Sequence, residues 1–206
     1  MRLLLLGLLG FGAASTGCTI ERVPQGAPYS DSFDALAPVW KATTEGKYTI
    51  EKGELVVRGS RNHPLWLTQP IPQNAILELD AWSNDPAGDI KFEAWGDGKS
   101  YATDVSYTAT SYVFIFGGWK NTISAICRLD EHANNRKTRS DVKVEQGKKY
   151  HFRVERRGGK IDWQIDGQPF LTFDDPKPLT GGDHSYFGFN NWEAELHFDT
   201  LKITAL

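Results

Sequence analysis

The sequence predicts an all-β domain built as a two-sheet antiparallel sandwich. Three observations carry that expectation. Apolar and polar side chains alternate over short runs, Gly and Pro turn signals separate those runs, and beyond Asp31 no stretch long enough for a stable helix keeps apolar residues at helical spacing. The 206 residues suit one domain of ordinary size, and 40% apolar with 24% charged residues suits a packed core rather than a disordered chain. Seven Trp, seven Tyr and eleven Phe beside twenty Gly and ten Pro fit a β-rich chain with frequent turns. The formal charge of −3 lacks the basic excess that a duplex-binding surface needs, so nucleic acid is not an expected partner. Two cysteines exclude a disulfide scaffold and a Cys-rich zinc site.

The first element is an address. Met1-Arg2, an apolar run from Leu3 to Phe11 and then small residues have the pattern of a secretory signal peptide, with a run too short to span a bilayer as a helix. Ser15-Thr16-Gly17-Cys18 resembles a bacterial lipobox, with Ser15 where Leu is usual. That resemblance implies a signal peptide over 1–17, acylation of Cys18, a tether over 18–29 containing Pro24, Gly26 and Pro28, and a domain over 30–206. The protein is then expected at the bacterial cell envelope, meeting the membrane only through its lipid; the alternative is an ordinary secreted or periplasmic chain. Cys127, in the apolar run from Ile123, reads as a packed thiol.

The strands follow in order. Runs 47–51 and 54–58 flank Lys52-Gly53, a tight-turn dipeptide that sets Ile50 opposite Leu55 and Tyr48 opposite Val57. Further strands are expected at 64–68, 75–83, 89–95, 111–116, 121–128, 185–190 and 194–204. Runs 150–157 and 160–166 flank Gly158-Gly159, pairing Phe152 with Ile165 and Val154 with Trp163. Asp166-Gly167 makes the next turn, and Pro169 places the following strand at an edge.

Several of these runs carry a family resemblance. Asp31-Ser32-Phe33-Asp34, Trp40, Gly53-Glu54-Leu55-Val56-Val57, Tyr150 to Glu155, Ile161 to Gly167 and Phe198 to Ile203 resemble concanavalin A-like jelly rolls of bacterial secreted proteins. The chain is most similar there to laminin-G-like domains linked with polysaccharide utilisation. The superfamily includes lectins, carbohydrate-binding modules, glycosidases and lyases, so fold does not decide activity. The resemblance also implies a structural Ca²⁺ between first and last strands, with Asp31, Asp34 and Asp199 at matching locations. Glu78-Leu79-Asp80 resembles the start of the Glu-x-Asp-x-Glu motif of laminarinase-type hydrolases, but Trp82 stands where the family has its acid/base.

Alternation over 75–82 sets Leu77, Leu79 and Ala81 toward the core and Glu78, Asp80 and Trp82 outward. The strand after Asp89 is expected to repeat this, with Lys91, Glu93 and Trp95 outward. Indole faces cover the apolar C–H patches of sugar rings while carboxylates and basic groups bond hydroxyls, so these outward residues form the first candidate platform for a polysaccharide or oligosaccharide. The bland alternative is a solvated sheet face. Arg153 and the charged 128–141 segment, with His132 and Arg136, are secondary candidates, the latter two suited to an acidic sugar. Asn190-Asn191-Trp192 and Gly117-Gly118-Trp119 are turns carrying indoles that either bind or pack. Carbohydrate binding is the expected function, without an assigned catalytic residue; a diverged hydrolase or lyase and a non-catalytic envelope protein are the alternatives.

Overall fold

Alternating runs become two stacked sheets. The computed structural model describes residues 26–43, 47–103 and 107–206; the leader and Cys18 lie outside them. In chain order the strands are β1 (Tyr29–Asp31), β2 (Trp40–Ala42), β3 (Tyr48–Glu51), β4 (Glu54–Arg58), β5 (Leu65–Leu67), β6 (Ala75–Ser83), β7 (Ile90–Gly96), β8 (Thr108–Gly117), β9 (Ile123–Asp130), β10 (Lys137–Arg139), β11 (Tyr150–Arg157), β12 (Lys160–Ile165), β13 (Gln168–Asp174), β14 (Tyr186–Asn190) and β15 (Glu195–Ala205). The first sheet runs β13-β12-β11-β6-β15-β4-β3, with β1 also on β15; the second runs β10-β9-β8-β7-β14-β5-β2. The all-β jelly-roll sandwich is therefore observed. Helical geometry among the described residues is confined to two single turns, Gly118–Asn121 and Gly182–His184.

Turn chemistry sets register as expected. Lys52 (φ 55°) and Gly53 (φ 80°) both take the left-handed conformation of a two-residue hairpin turn, and Ile50 pairs with Leu55, Tyr48 with Val57. Phe152 pairs with Ile165 and Val154 with Trp163. Glu155 faces Asp162 in that ladder. The repulsion is relieved locally: Arg153 and Arg157 each reach Glu155 at 2.7 Å, while Lys160 (3.0 Å) and Thr172 (2.7 Å) reach Asp162. Pro169 lies on β13, the sheet-edge strand, beside a bulge at Trp163/Gln164. The 128–141 connection holds one more short strand than expected, β10, which folds back on β9.

The core lies between the sheets. Leu77, Leu79 and Ala81 from β6 meet Ile90, Phe92 and Ala94 from β7, all essentially solvent-free. Phe92 stacks on Phe114 at 4.8 Å and meets the edge of Trp163 at 6.2 Å. Fully burying a side chain of this size contributes roughly 1.5–3 kcal/mol by area. Because the two strands face each other across the core, their outward residues point to opposite sides of the molecule.

Trp95 breaks the expected alternation. β14 pairs Tyr186 with Gly96 and Phe187 with Ala94, leaving Trp95 as the extra residue of a bulge, with φ 58°. The bulge turns the indole inward. There it is fully buried, its Nε1 donates to the Pro72 carbonyl at 3.0 Å, and its face covers the buried Arg156 guanidinium at 4.7 Å. Outward exposure of Trp95 is thus corrected: the cation inside the sandwich takes the indole that a ligand would need.

A second layer roofs the outer face of the second sheet. Trp66 is fully buried there, and its ring lies so close to Gly96 and Gly188 that an added Cβ would sit 2.7 and 2.8 Å away. Its Nε1 donates to the Ser100 carbonyl at 3.0 Å. Ala102, Tyr107, Ala109, Val113, Ile115, Ala125 and Cys127 form a separate apolar cluster under this roof. Burial pushes the Cys127 thiol up to about 12, in keeping with a packed rather than reactive group.

The registers also define two ends. Ala75 and Ala205 pair at one, where Ala27 N–H donates to the Pro70 carbonyl at 3.0 Å and Leu206 N–H to the Asn74 carbonyl at 3.1 Å. Ser83 pairs with Leu196 at the other, where Asn84 N–H meets the Glu195 carbonyl at 3.0 Å.

Candidate functional site

The expected platform is divided by the fold. Glu78, Asp80 and Trp82 do project from the first sheet, away from the core, but Lys91 and Glu93 project from the second sheet on the opposite side. No single surface can contain both sets. On the first sheet Trp82 is only 8% exposed, with Lys149 over one ring contact at 4.3 Å and His197 stacked at 5.0 Å and 12°. His197 is itself held between Glu54 and Glu195, each at 3.1 Å. Asp80 accepts from His151 at 2.8 Å, Glu78 stands 3.9 Å from the same ring, and Arg153 is taken by Glu155. This face is a web of paired charges with its indole already covered.

Glu93 is corrected from exposed to buried. Tyr107 (2.9 Å), Ser111 (2.5 Å) and Asn190 (2.6 Å) donate to its carboxylate beneath the roof. Burial pushes the group up to about 7 in spite of those three donors. Asn191 is equally internal: its side-chain oxygen accepts from Ser60 N–H at 2.8 Å, and its amide donates to the Ala194 carbonyl.

The expected calcium ligands do not come together. Asp31 accepts from Tyr29 (2.7 Å), Trp40 (2.8 Å) and Phe33 N–H (2.8 Å), Asp34 accepts from Ser32, and Asp199 meets Lys149 at 3.3 Å. Neighbouring donors thus occupy Asp31. Among the described residues no group of three or more His, Cys, Asp or Glu is placed to hold a metal ion.

What the fold does assemble is a cavity of about 440 Å³ at the Ser83/Glu195 end, over the outer face of the second sheet. Five separate segments line it: Asn62, the 85–91 stretch, Ile115 with Trp119 and Lys120, Glu131 with His132, and 192–194. Two indoles wall it, Trp119 and Trp192, each backed by a guanidinium: Arg136 lies 4.8 Å over Trp119 and Arg61 lies 5.8 Å over Trp192. Arg136 also donates to the Glu131 carbonyl at 2.7 Å, and His132 meets the Trp119 ring edge-on at 5.8 Å. Two secondary candidates, His132 and Arg136, are therefore brought to one indole, whereas Arg153 is on the far sheet.

The floor is charged. Lys91 Nζ donates to Asn62 Oδ1 and Glu131 Oε2, both at 2.8 Å, with both charged groups nearly solvent-free. Burial opposes the lysine's charge, but Glu131 and Asp89 outweigh it and hold the ammonium above its usual range. Burial pushes Asp89 up to about 6 against the attraction of Lys91. The nearby backbone N–H of Trp192 also favours the ionised form, and among the described residues no side chain hydrogen-bonds to this carboxylate. The arrangement offers two apolar ring faces, lining carboxylates as acceptors and an ionic floor, which is the equipment for holding a polyhydroxylated ring.

Comparison with known proteins fits the architecture. A family model described as "Farnesoic acid 0-methyl transferase" matches residues 99–201. The chain is 24% identical over 177 residues to an extracellular exo-alpha-L-arabinofuranosidase of Streptomyces chartreusis, a match over 84% of this chain and 21% of that enzyme's length. Its fold resembles a Bacillus licheniformis beta-glucanase (TM-score 0.66, 12% identity, 89% of this chain and 100% of that one). It also resembles the carbohydrate-binding module CBM66 of Bacillus subtilis (TM-score 0.58, 14% identity, 81% and 96%). The fold is thus the concanavalin A-like, galectin-like jelly roll.

Proposed function

The chain belongs to the Farnesoic acid 0-methyl transferase family, and we propose that within it this protein is an exported carbohydrate-binding domain whose sugar site is the cavity between Trp119 and Trp192. The observation that carries the reading is the pairing of two indole walls with a partly buried carboxylate, to which no side chain hydrogen-bonds among the described residues, in one pocket. Sugar-active neighbours of the same fold and an extracellular relative that acts on arabinofuranosides support it. The family's description names methyl transfer, for which a nucleotide-type methyl donor would want a glycine-rich turn leading into a helix N-terminus. The described residues do not fit that donor: they form an antiparallel sandwich with two single helical turns.

In this reading Trp119 and Trp192 stack on the ring, Asp89 accepts from hydroxyls, and His132 and Lys120 stand at the rim. Glu78, Asp80 and Trp82 are structural. Export rests on the apolar leader, and acylation of Cys18 would hold the domain at the envelope. Among the described residues no helix is long and apolar enough to cross a membrane.

The test is a glycan-array screen of the full chain followed by titration of the hit, read by tryptophan fluorescence. Trp119→Ala and Trp192→Ala should each weaken binding about tenfold, the scale of one lost ring-stacking contact. A double variant that binds as tightly as the parent sinks the assignment.

A further inference from the structure

A glycan chain can be held along its length or by its end, and the two demand different surfaces. Holding it along the length needs an open trough across several strands. Here that trough is filled. The roof of Trp66, Ala102, Tyr107 and Ala109 packs onto the second sheet, with Trp66 pressed against Gly96 and Gly188 and Tyr107 bonded to the buried Glu93. The outer face of the first sheet presents ion pairs and a covered indole, as described above.

The cavity stays open, with walls on several sides. The 85–89 loop, the 117–120 turn, Glu131 with His132, and 192–194 each contribute a wall, while Lys91 bonded to Glu131 makes the floor. About 440 Å³ lies within the range of small-molecule pockets and accommodates a terminal ring with its neighbour, not an extended run. Lys91 is spent on Asn62 and Glu131, Glu193 meets Arg61 at 2.9 Å and Asp85 accepts from Ala87 N–H at 2.8 Å, so Asp89 is the lining carboxylate given the acceptor role. An anionic ring would set a second negative charge against that carboxylate; a neutral ring supplies it with hydroxyl donors.

We propose that the cavity takes the terminal ring of an uncharged glycan chain, stacked between Trp119 and Trp192 with its hydroxyls donating to Asp89, and does not bind the chain's interior. This rests on the carbohydrate-binding reading of the same cavity. It replaces the sheet-wide polysaccharide platform that alternation alone had pointed to.

The test is calorimetric titration of the full chain with arabino-, laminari- and cello-oligosaccharides, each from disaccharide to hexasaccharide. In the series that binds, affinity should level off by the trisaccharide. The parent polymer should offer sites in proportion to its chain ends, so that partial hydrolysis at constant mass raises the number of sites. Affinity that climbs with every added ring, or sites that scale with polymer mass, overturns the chain-end inference while leaving a sugar site in place. No binding by any series overturns the carbohydrate reading and this inference with it. Asp89→Asn should weaken binding at least about tenfold, as expected for losing the charge from a charge-assisted hydrogen bond, with the melting temperature held. Unchanged affinity in a folded Asp89→Asn variant overturns the role given to that carboxylate.

Discussion

Trp119 reaches the cavity through a backbone that L-residues avoid. It, Lys120 and Asn121 take φ of 49°, 61° and 61° in succession, after Gly117 at 70°. Each such residue costs on the order of 1 kcal/mol, and the cost is met by the Asn121 side chain, which donates to the Val144 carbonyl and accepts from Val144 N–H, both at 2.8 Å. Lys120→Gly should therefore stabilise the fold by about 0.5–1 kcal/mol in chemical denaturation while weakening sugar binding through a looser Trp119. Glu93 gives a second expectation. Its folded value of about 7 exceeds the ordinary 4.5, so its contribution to stability is complete below about pH 4.5 and is lost as pH rises through 7. The melting temperature of Glu93→Gln relative to the parent should accordingly rise between pH 4.5 and pH 8, and a pH-independent difference would contradict the buried carboxylate. At this scale the sequence was only partly legible. Alternation placed Glu78, Asp80 and Trp82 off the core face correctly, but nothing local announces that Trp95 carries a positive φ or that Arg156 waits inside for an indole.

Elements were more legible than residues because turn dipeptides fix register. Lys52-Gly53 and Gly158-Gly159 were enough to give the β3–β4 and β11–β12 ladders, and β6 runs over 75–83 as its alternation indicates. The bulge in β7 was not legible, since one extra residue against β14 shows only in the pairing. That bulge ends at Gly96, whose missing side chain admits Trp66. Gly96→Ala would bring a Cβ to 2.7 Å from that ring and 2.9 Å from Ser111 Cβ, so it should cost about 1–3 kcal/mol by overpacking. A melting temperature equal to the parent's would mean that the roof is looser than its contacts indicate. The cavity itself had no signature in any one run. Its walls come from five segments far apart in the chain, of which the sequence marked the loop with His132 and Arg136 and the two Trp-bearing turns as separate candidates, without showing that they meet.

For the molecule as a whole, the sandwich class and most strands followed from pattern, whereas the short strands β1, β2 and β10 and the relation between the sheets' outer faces did not. Alternation says which side chains leave the core; it does not say that β6 and β7 belong to opposite layers. The same layering sets direction. The chain enters beside β15 at Tyr29, opposite Ile203, and leaves at Leu206 near Asn74, while the cavity opens at the Ser83/Glu195 end. Coupling the protein to a bead through a residue upstream of Gly26 should leave its glycan affinity within about twofold of the free chain, well inside one RT ln 10 step. Coupling through Lys120 should abolish capture. Gly26 and Leu206 thus lie at the end opposite the cavity, so an attachment made through either would leave the mouth of the proposed sugar site clear.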